Sequence, residues 1–146
     1  MKIALLCGSG GHLTEMMCLK GAWEKHDHFF ITWDMRPGAV TERAHFIEQT
    51  TGVLPMIVSG LKLFPVLVRE RPNVILSTGA GWMDLFAFFF AKLLRIKTVY
   101  VESVSRTETC TGTGNAARIF ADEFLVQWPE MERTCGRKAK YRGGII

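Results

Sequence analysis

The chain has 146 residues, 48% of them hydrophobic, and a formal net charge of +4. This composition suits one domain with its own core and excludes a disordered chain. No two of its four cysteines have CxxC spacing, which argues against a zinc site or a redox dithiol; they are Cys7, Cys18, Cys110 and Cys135. Four scattered thiols suit a reducing cytosol.

Strand and helix patterns alternate from the first residues, so we expect no signal peptide and a single domain over 1–146. The elements predicted in chain order are a strand over 2–7, a helix over 12–23, a strand over 28–33, a helix over 38–49, a weak strand over 52–58, a helix over 60–71 that Pro65 begins or kinks, a strand over 73–78, a helix over 82–96, a strand over 97–103, a helix over 113–121 and a strand over 123–128.

This alternation predicts an α/β fold, a Rossmann-like open parallel sheet with helices on both faces. In such sheets, ligands bind beyond the carboxyl ends of the strands. Two glycine turns, 8–11 and 79–81, each follow a strand and precede a helix, and 102–106 ends another strand. We therefore expect these three segments to meet at one rim.

The first turn, GSGGH, is a candidate seat for a phosphate or diphosphate, because glycines admit close approach of a ligand and the following helix presents free N–H groups. Gly8 and Gly10 match the G-x-G of a dinucleotide site, but Leu13 stands at the third glycine position. Asp34, after the second strand, could hold a ribose. The alternative is an ordinary turn between a strand and a helix.

His12 follows this turn directly and is a candidate base or phosphate ligand. Glu15, three residues later, either caps the helix or reaches the same cleft. A structural histidine is the alternative.

The segment 82–96 is apolar nearly all round but shorter than the about 20 residues that span a bilayer. It is either a core helix or a helix that presses Trp82, Phe86 and Phe89 into a membrane surface. In the second case, the basic side chains that would meet head groups are Lys92, Arg95 and Lys97.

The C-terminal segment is basic and ends in apolar residues. It can meet anionic lipid, a diphosphate or an acidic partner, or it can be a solvated terminus. We expect Tyr141, Ile145 and Ile146 to dock on a partner chain, with the alternative that AKYRGGII is an edge strand of this sheet. The basic residues are Arg133, Arg137, Lys138, Lys140 and Arg142.

The motifs GSGGH.TEM, STGAG, YVES..R, TG and VQWPE, in this order over residues 7–131, resemble the Alg14 family. This family provides a subunit of a two-chain N-acetylglucosaminyltransferase, and its bacterial counterparts are PssD/EpsE/CpsF-type proteins of capsule and exopolysaccharide synthesis. The family is in turn similar to the N-terminal half of MurG. The sequence departs from the family pattern in three ways: it has no match to the N-terminal membrane helix of the eukaryotic members, its segment 21–60 is short, and its second loop lacks the usual proline. These departures favour the bacterial branch.

The resemblance implies the acceptor-side half of a GT-B glycosyltransferase, peripheral on the cytoplasmic face of a membrane. Its implied partners are a UDP-sugar-binding catalytic subunit (Alg13-like or PssE-like), a polyprenyl-diphosphate-linked sugar and the membrane surface, with no nucleic acid. The residues that match the family's site are Ser9, Gly10, Gly11, His12, Thr14, Glu15, Thr78, Gly79, Gly81, Glu102, Ser103, Arg106, Thr113, Gly114, Gln127 and Trp128.

Three functions follow as hypotheses. The first is a subunit for inverting sugar transfer, inactive alone, with His12 as the base, Glu102 as the second choice and no metal or other cofactor. The second is a free-standing nucleotide-binding enzyme such as a small dehydrogenase, against which the missing third glycine and the lack of a substrate domain argue. The third is a membrane anchor and allosteric activator of a partner that carries all the chemistry.

Overall fold

The structure, a computed structural model, describes residues 1–33 and 43–145. Within these ranges, the elements in chain order are β1 (Lys2–Cys7), α1 (Gly11–Cys18), α2 (Lys20–Trp23), β2 (Asp27–Trp33), β3 (Ala44–Ile47), α3 (Val53–Leu61), α4 (Leu63–Glu70), β4 (Val74–Gly79), α5 (Trp82–Leu94), β5 (Lys97–Val101), α6 (Gly112–Phe120), β6 (Glu123–Val126), α7 (Met131–Thr134) and β7 (Ala139–Tyr141).

The strands form one sheet in the order β3-β2-β1-β4-β5-β6-β7, and every neighbouring pair is parallel. The chain builds the sheet outward from β1 through β2 and β3, and then in the other direction from β4 to β7. The strand order therefore reverses between β1 and β4, which is where open α/β sheets bind their ligands.

Helices cover both faces of the sheet, because its central strand is apolar on both sides. Ala4 and Leu6 of β1 belong to the core shared with α4, α5 and α6. Ile3 and Leu5, which alternate with them, belong to the core shared with α1 and α2. The predicted open parallel sheet with helices on both faces is confirmed.

One predicted helix is wrong in the part that the structure describes. The helix was expected over 38–49, but Ala44–Ile47 forms β3 at the edge of the sheet, paired with β2. Residues 34–42, including Asp34, lie outside the described residues.

The weak strand expected over 52–58 is also wrong, because this segment belongs to α3. Pro55 suggested an interrupted strand, yet it lies in the first turn of the helix, where the backbone N–H has no partner within the helix. Pro65 lies at the same place in α4, so it begins that helix and does not kink it.

The expectation of four separate thiols is wrong, because Cys110 and Cys135 form a disulfide. The two residues are 25 positions apart in the sequence. The bond joins the loop before α6 to the end of α7. Cys7 and Cys18 are free, the first buried and the second exposed, and burial raises the pKa of the Cys7 thiol to about 12.

The C-terminal segment adds an edge strand to the sheet. Residues 139–141 form β7, parallel to β6, as the alternative reading of AKYRGGII had it. Lys138 Nζ donates hydrogen bonds to three carbonyl oxygens at the end of α6, and Lys140 pairs with Glu123 over 2.7 Å. Two of the basic side chains of this segment therefore stabilise its own domain. Ile146 lies outside the described residues.

Candidate functional site

The first glycine turn lies at the reversal of strand order. The backbone N–H of Gly8 donates to the carbonyl oxygen of Gly79 over 2.8 Å, which ties the end of β1 to the end of β4. Gly10 has a φ of 73°, in the left-handed region that favours glycine, and α1 begins at the next residue. The exposed backbone of Ser9, Gly10 and Gly11 thus leads directly to a helix N-terminus, which attracts anions.

The imidazole of His12 lies over the second turn. Gly79 has a φ of 111°, and a Cβ placed there would lie 3.0 Å from the imidazole ring. The hydroxyl of Thr78 donates to the carbonyl oxygen of His12 over 2.7 Å. The sequence therefore needs glycine at 79, because only a residue without a side chain lets the histidine ring rest on the turn.

A buried carboxylate holds the His12 ring. Nδ1 of His12 lies 3.4 Å from Oε2 of Glu15, while the other oxygen of Glu15 accepts from the Ser103 hydroxyl at 2.7 Å and the Val104 N–H at 3.0 Å. A proton on Nδ1 that faces the carboxylate leaves Nε2 free to accept another. The His12 side chain is 41% exposed, so it is open to a substrate hydroxyl.

Glu102, the second candidate base, is 1% exposed and held by several donors. Its oxygens accept from the Ser103 N–H at 3.1 Å and from the N–H and hydroxyl of Thr111, each at 3.2 Å. Burial raises the pKa of the Glu102 carboxyl. A side chain at Gly114 would collide with this carboxylate, so the glycine lets α6 approach it. This geometry suits a residue that organises the loop 103–111, and it favours His12 as the base.

Asp84 holds the second turn from inside the protein. Its carboxylate accepts from the Ser77 hydroxyl at 2.5 Å and from the Ala80 N–H at 2.7 Å, and the Ser77 oxygen in turn accepts from the Gly79 N–H at 3.0 Å. Asp84 is 0% exposed, and burial raises its pKa to about 6, against the lowering effect of these hydrogen bonds.

A cleft of about 590 Å³ opens beside the first turn. It contains backbone from both glycine turns, the His12 side chain, two tryptophans and a polar segment after β3. The lining residues are Gly8, Ser9, His12, Trp33, Gln49, Thr50, Thr51, Ala80, Gly81 and Trp82.

The structure brings the predicted site residues to the side of the sheet where the strands have their carboxyl ends, though not all of them reach the cleft. Glu15, Thr78, Glu102, Ser103, Gly114 and Gln127 are buried supports, whereas Thr14 and Arg106 are exposed beside the turns and Thr113 is partly buried in the first turn of α6. The Trp128 indole N–H donates to the Val104 carbonyl and so braces the same loop. Gln127 accepts from the Ile145 N–H at 3.0 Å, and Tyr141 lies on the exposed edge strand.

The predicted membrane residues do not share one exposed face. Trp82 lines the cleft, and Phe86 is half-buried under α3, because a Cβ on Gly60 would lie 2.6 Å from its ring. Phe89 is exposed, Lys92 is paired with Asp122, and Arg95 and Lys97 are exposed.

The larger apolar surface lies on helices that the sequence patterns did not identify as exposed. We call it the apolar face; its exposed side chains are Val53, Leu54, Ile57, Val58 and Leu61 of α3, Phe64 and Val68 of α4, and Phe89 and Leu93 of α5. No helix within 1–33 and 43–145 is long and apolar enough to cross a membrane.

Sequence reasoning missed several residues of this site. The sequence motifs did not single out Asp84, although its place in the first turn of α5, soon after GAG, is a signal for a carboxylate that caps the turn. Thr111 shows a similar signal, since it caps α6 by accepting from the Gly114 N–H at 2.8 Å. Trp33 and the segment 49–51 carry no local signal. In the described part of the chain, no three His, Cys, Asp or Glu side chains are placed to share a metal ion.

Comparison with known proteins gives the family. Residues 39–145 match the family model described as oligosaccharide biosynthesis protein Alg14 like. A UDP-N-acetylglucosamine transferase subunit ALG14 from Rattus norvegicus is 30% identical over 99% of the chain and 82% of its own length. The protein of the same name from Eremothecium gossypii is 36% identical over 54% of the chain and only 37% of its own length.

The solved structures that resemble the chain share its fold. MurG from Acinetobacter baumannii matches with a TM-score of 0.71 and 11% identity over 89% of the chain. UDP-N-acetylglucosamine 2-epimerase from Rickettsia bellii matches with a TM-score of 0.79 and 14% identity over 99% of the chain. The chain spans 42% of the first protein and 45% of the second.

Proposed function

Because the chain belongs to the Alg14-like family of oligosaccharide biosynthesis proteins, we propose that it is the acceptor-side subunit of a glycosyltransferase. The reaction is the inverting transfer of a sugar from a UDP-sugar to a polyprenyl-diphosphate-linked sugar, in lipid-linked oligosaccharide, capsule or exopolysaccharide synthesis. The curated relatives are named as subunits of a UDP-N-acetylglucosamine transferase, which supports this class of reaction and not a small dehydrogenase.

The observation that carries the proposal is the arrangement at the reversal of strand order. The turn at 8–11 offers backbone N–H groups to the acceptor diphosphate, and the half-exposed His12 lies directly beside it. In the transfer step, the acceptor hydroxyl attacks the anomeric carbon, its proton passes to Nε2 of His12, and the bond to UDP breaks as UDP leaves with the electron pair. Glu15 holds the ring from the Nδ1 side.

A partner chain completes this site in the proposal. The curated relatives are named as subunits of a transferase, so the proposal assigns the UDP-sugar site to a separate catalytic subunit. We assign that contact to the edge strand β7, in which Tyr141 is exposed. The chain alone is then inactive.

The apolar face supports attachment to a membrane. Nine large apolar side chains are exposed on α3, α4 and α5. Two exposed basic residues follow α5: Arg95 directly after the helix and Lys97 at the start of β5. Amphipathic surfaces of this type bury apolar side chains at the level of the head groups, while basic side chains meet anionic lipid. We place the protein as a peripheral protein on the cytoplasmic face, where UDP-sugars are supplied.

The test is co-purification of the chain with a candidate UDP-sugar-binding partner, followed by transfer from labelled UDP-N-acetylglucosamine to a short-chain prenyl-diphosphate sugar. His12→Ala should lower kcat by about 10²–10⁴-fold, as expected for loss of a general base, without breaking the complex. His26→Ala is the matched control, because His26 precedes β2 at the opposite end of the strands.

Two results contradict the proposal in different ways. A rate within about threefold of wild type for His12→Ala removes the imidazole from the proton transfer. Robust transfer by the chain without any partner removes the two-chain arrangement.

A further inference from the structure

The cleft beside the first turn has an aromatic wall. Trp33, at the end of β2, and Trp82, at the start of α5, meet edge to face with ring centroids 4.9 Å apart. Trp33 is 7% exposed, whereas Trp82 is half-buried and lines the cleft. Trp33 and Phe86 both pack edge to face against Trp82, which fixes its indole in place.

A polar segment lines the same cleft. Gln49, Thr50 and Thr51 follow β3 and contribute an amide and two hydroxyls. The hydroxyl oxygen of Thr50 is buried and makes no hydrogen bond within the described part of the chain. A buried hydroxyl without a partner is destabilising, and because Thr50 belongs to the wall of the cleft, a ligand there is the candidate partner.

These two walls together fit one class of ligand. A pyranose ring has an apolar C–H face, which packs on an indole, and a rim of hydroxyl and amide groups, which pair with threonine and glutamine side chains. None of the lining residues is acidic, so the cleft also tolerates a neighbouring diphosphate. Its volume of about 590 Å³ lies within the about 300–1,000 Å³ range of small-molecule sites.

We propose that Trp82 and the segment 49–51 form a subsite for a pyranose ring whose diphosphate lies on the first glycine turn. The inference deepens the proposed function and rests on it for the source of the ring, which we assign to the lipid-linked acceptor. The UDP-sugar carries the same chemistry and is the other source.

Calorimetric titration of the purified chain with three probes tests this subsite. The probes are a short-chain prenyl diphosphate bearing N-acetylglucosamine, the same prenyl diphosphate without sugar, and UDP-N-acetylglucosamine. The wild-type chain should bind the sugar-bearing prenyl diphosphate about tenfold more tightly than the bare one, and more tightly than UDP-N-acetylglucosamine.

Three variants locate the added affinity. Trp82→Leu should lose most of the tenfold difference and Trp82→Phe should keep most of it, because phenylalanine retains an aromatic face. Thr50→Val is isosteric and removes a hydroxyl that has no partner within the described part of the free chain, so it should not lower the melting temperature. It should, however, weaken binding of the sugar-bearing probe about fivefold. Ile119→Ala, an exposed apolar truncation on α6, is the control.

The outcomes separate the subsite from the proposed function. Equal binding of the two prenyl diphosphates, unchanged by Trp82→Leu and Thr50→Val, overturns the subsite and leaves the acceptor-side function standing. Binding of UDP-N-acetylglucosamine alone, weakened by both variants, supports the pyranose subsite and overturns the acceptor-side assignment. Failure of all three probes to bind overturns the subsite.

Discussion

Replacing Asp84 by asparagine should change how the stability of the chain depends on pH while keeping the second glycine turn intact. The asparagine oxygen can accept from the Ala80 N–H, as the carboxylate does now. Its amide group can donate to Ser77 Oγ, which already accepts from the Gly79 N–H. The substitution therefore removes the charge and keeps a hydrogen bond to both groups, with the direction of the one to Ser77 reversed.

The expected size follows from the pKa of Asp84. Burial raises it from 3.8 to about 6, so between these values the folded chain holds a proton that the unfolded chain has lost. The stabilising effect of this proton is complete below pH 3.8 and is lost as the pH rises through 6. At about 1.4 kcal/mol per pKa unit, wild type should lose about 3 kcal/mol relative to Asp84→Asn across this window.

Urea denaturation at intervals between pH 3.5 and 7.5, on the wild type and the variant, measures this difference. Asp122→Asn is a control whose effect on stability should depend on pH in the opposite direction. Burial tends to raise the pKa of Asp122, but hydrogen bonds from Lys92 and Thr98 bring it below its usual value. Its contribution should therefore be present above the unfolded pKa and be lost as the pH falls through the folded pKa. Parallel pH profiles for wild type and Asp84→Asn would refute the reasoning.

Two further expectations concern other parts of the chain. Leu54→Glu on the apolar face should weaken binding to anionic vesicles about tenfold with little change in stability, because Leu54 is 72% exposed. Met17→Glu, on α1, is the control and should leave vesicle binding unchanged. Sedimentation with vesicles measures both variants, and equal effects would contradict a membrane role for the apolar face. Cys110→Ser should lower the free energy of unfolding by about 3 kcal/mol in urea denaturation, and reductant should do the same for wild type, because the disulfide with Cys135 closes a loop in the unfolded chain. Cys18→Ser is the control and should change the stability little. If neither Cys110→Ser nor reductant has an effect, the bond does not form.

The sheet could be predicted from the sequence because its central strands carry strong local signals. Residues 2–7 and 73–78 are short, mainly apolar runs that are each followed by glycine, and buried parallel strands have this composition. The segment 52–58 has no such signal: it is apolar all along, and its period does not distinguish a strand from a helix. Its side chains are largely exposed, which only the packing of α3 on α5 through Gly60 reveals.

The candidate site, like the fold, could be predicted from the sequence only in part. The glycine turns and His12 could be predicted because their conformations depend on adjacent residues. The partners of the buried carboxylates could not, because Glu15 meets Ser103 across 88 positions of sequence, and the Cys110–Cys135 bond depends on how β5, β6 and β7 lie side by side. A sequence pattern carries no information on contacts that only the completed sheet creates.

The carboxylates at this edge of the sheet bear on the chemistry of His12. Glu15, Asp84 and Glu102 are each buried and each accept hydrogen bonds from loop backbone or hydroxyl groups, so they hold the turns from inside the protein. None of the three lines the cleft, so a substrate hydroxyl bound there does not reach them. His12 differs, since one ring nitrogen faces Glu15 and the ring is open to the solvent. In the proposed transfer, the base supplied by this chain is therefore the imidazole, and if His12→Ala keeps its rate, we assign the proton to a group on the partner.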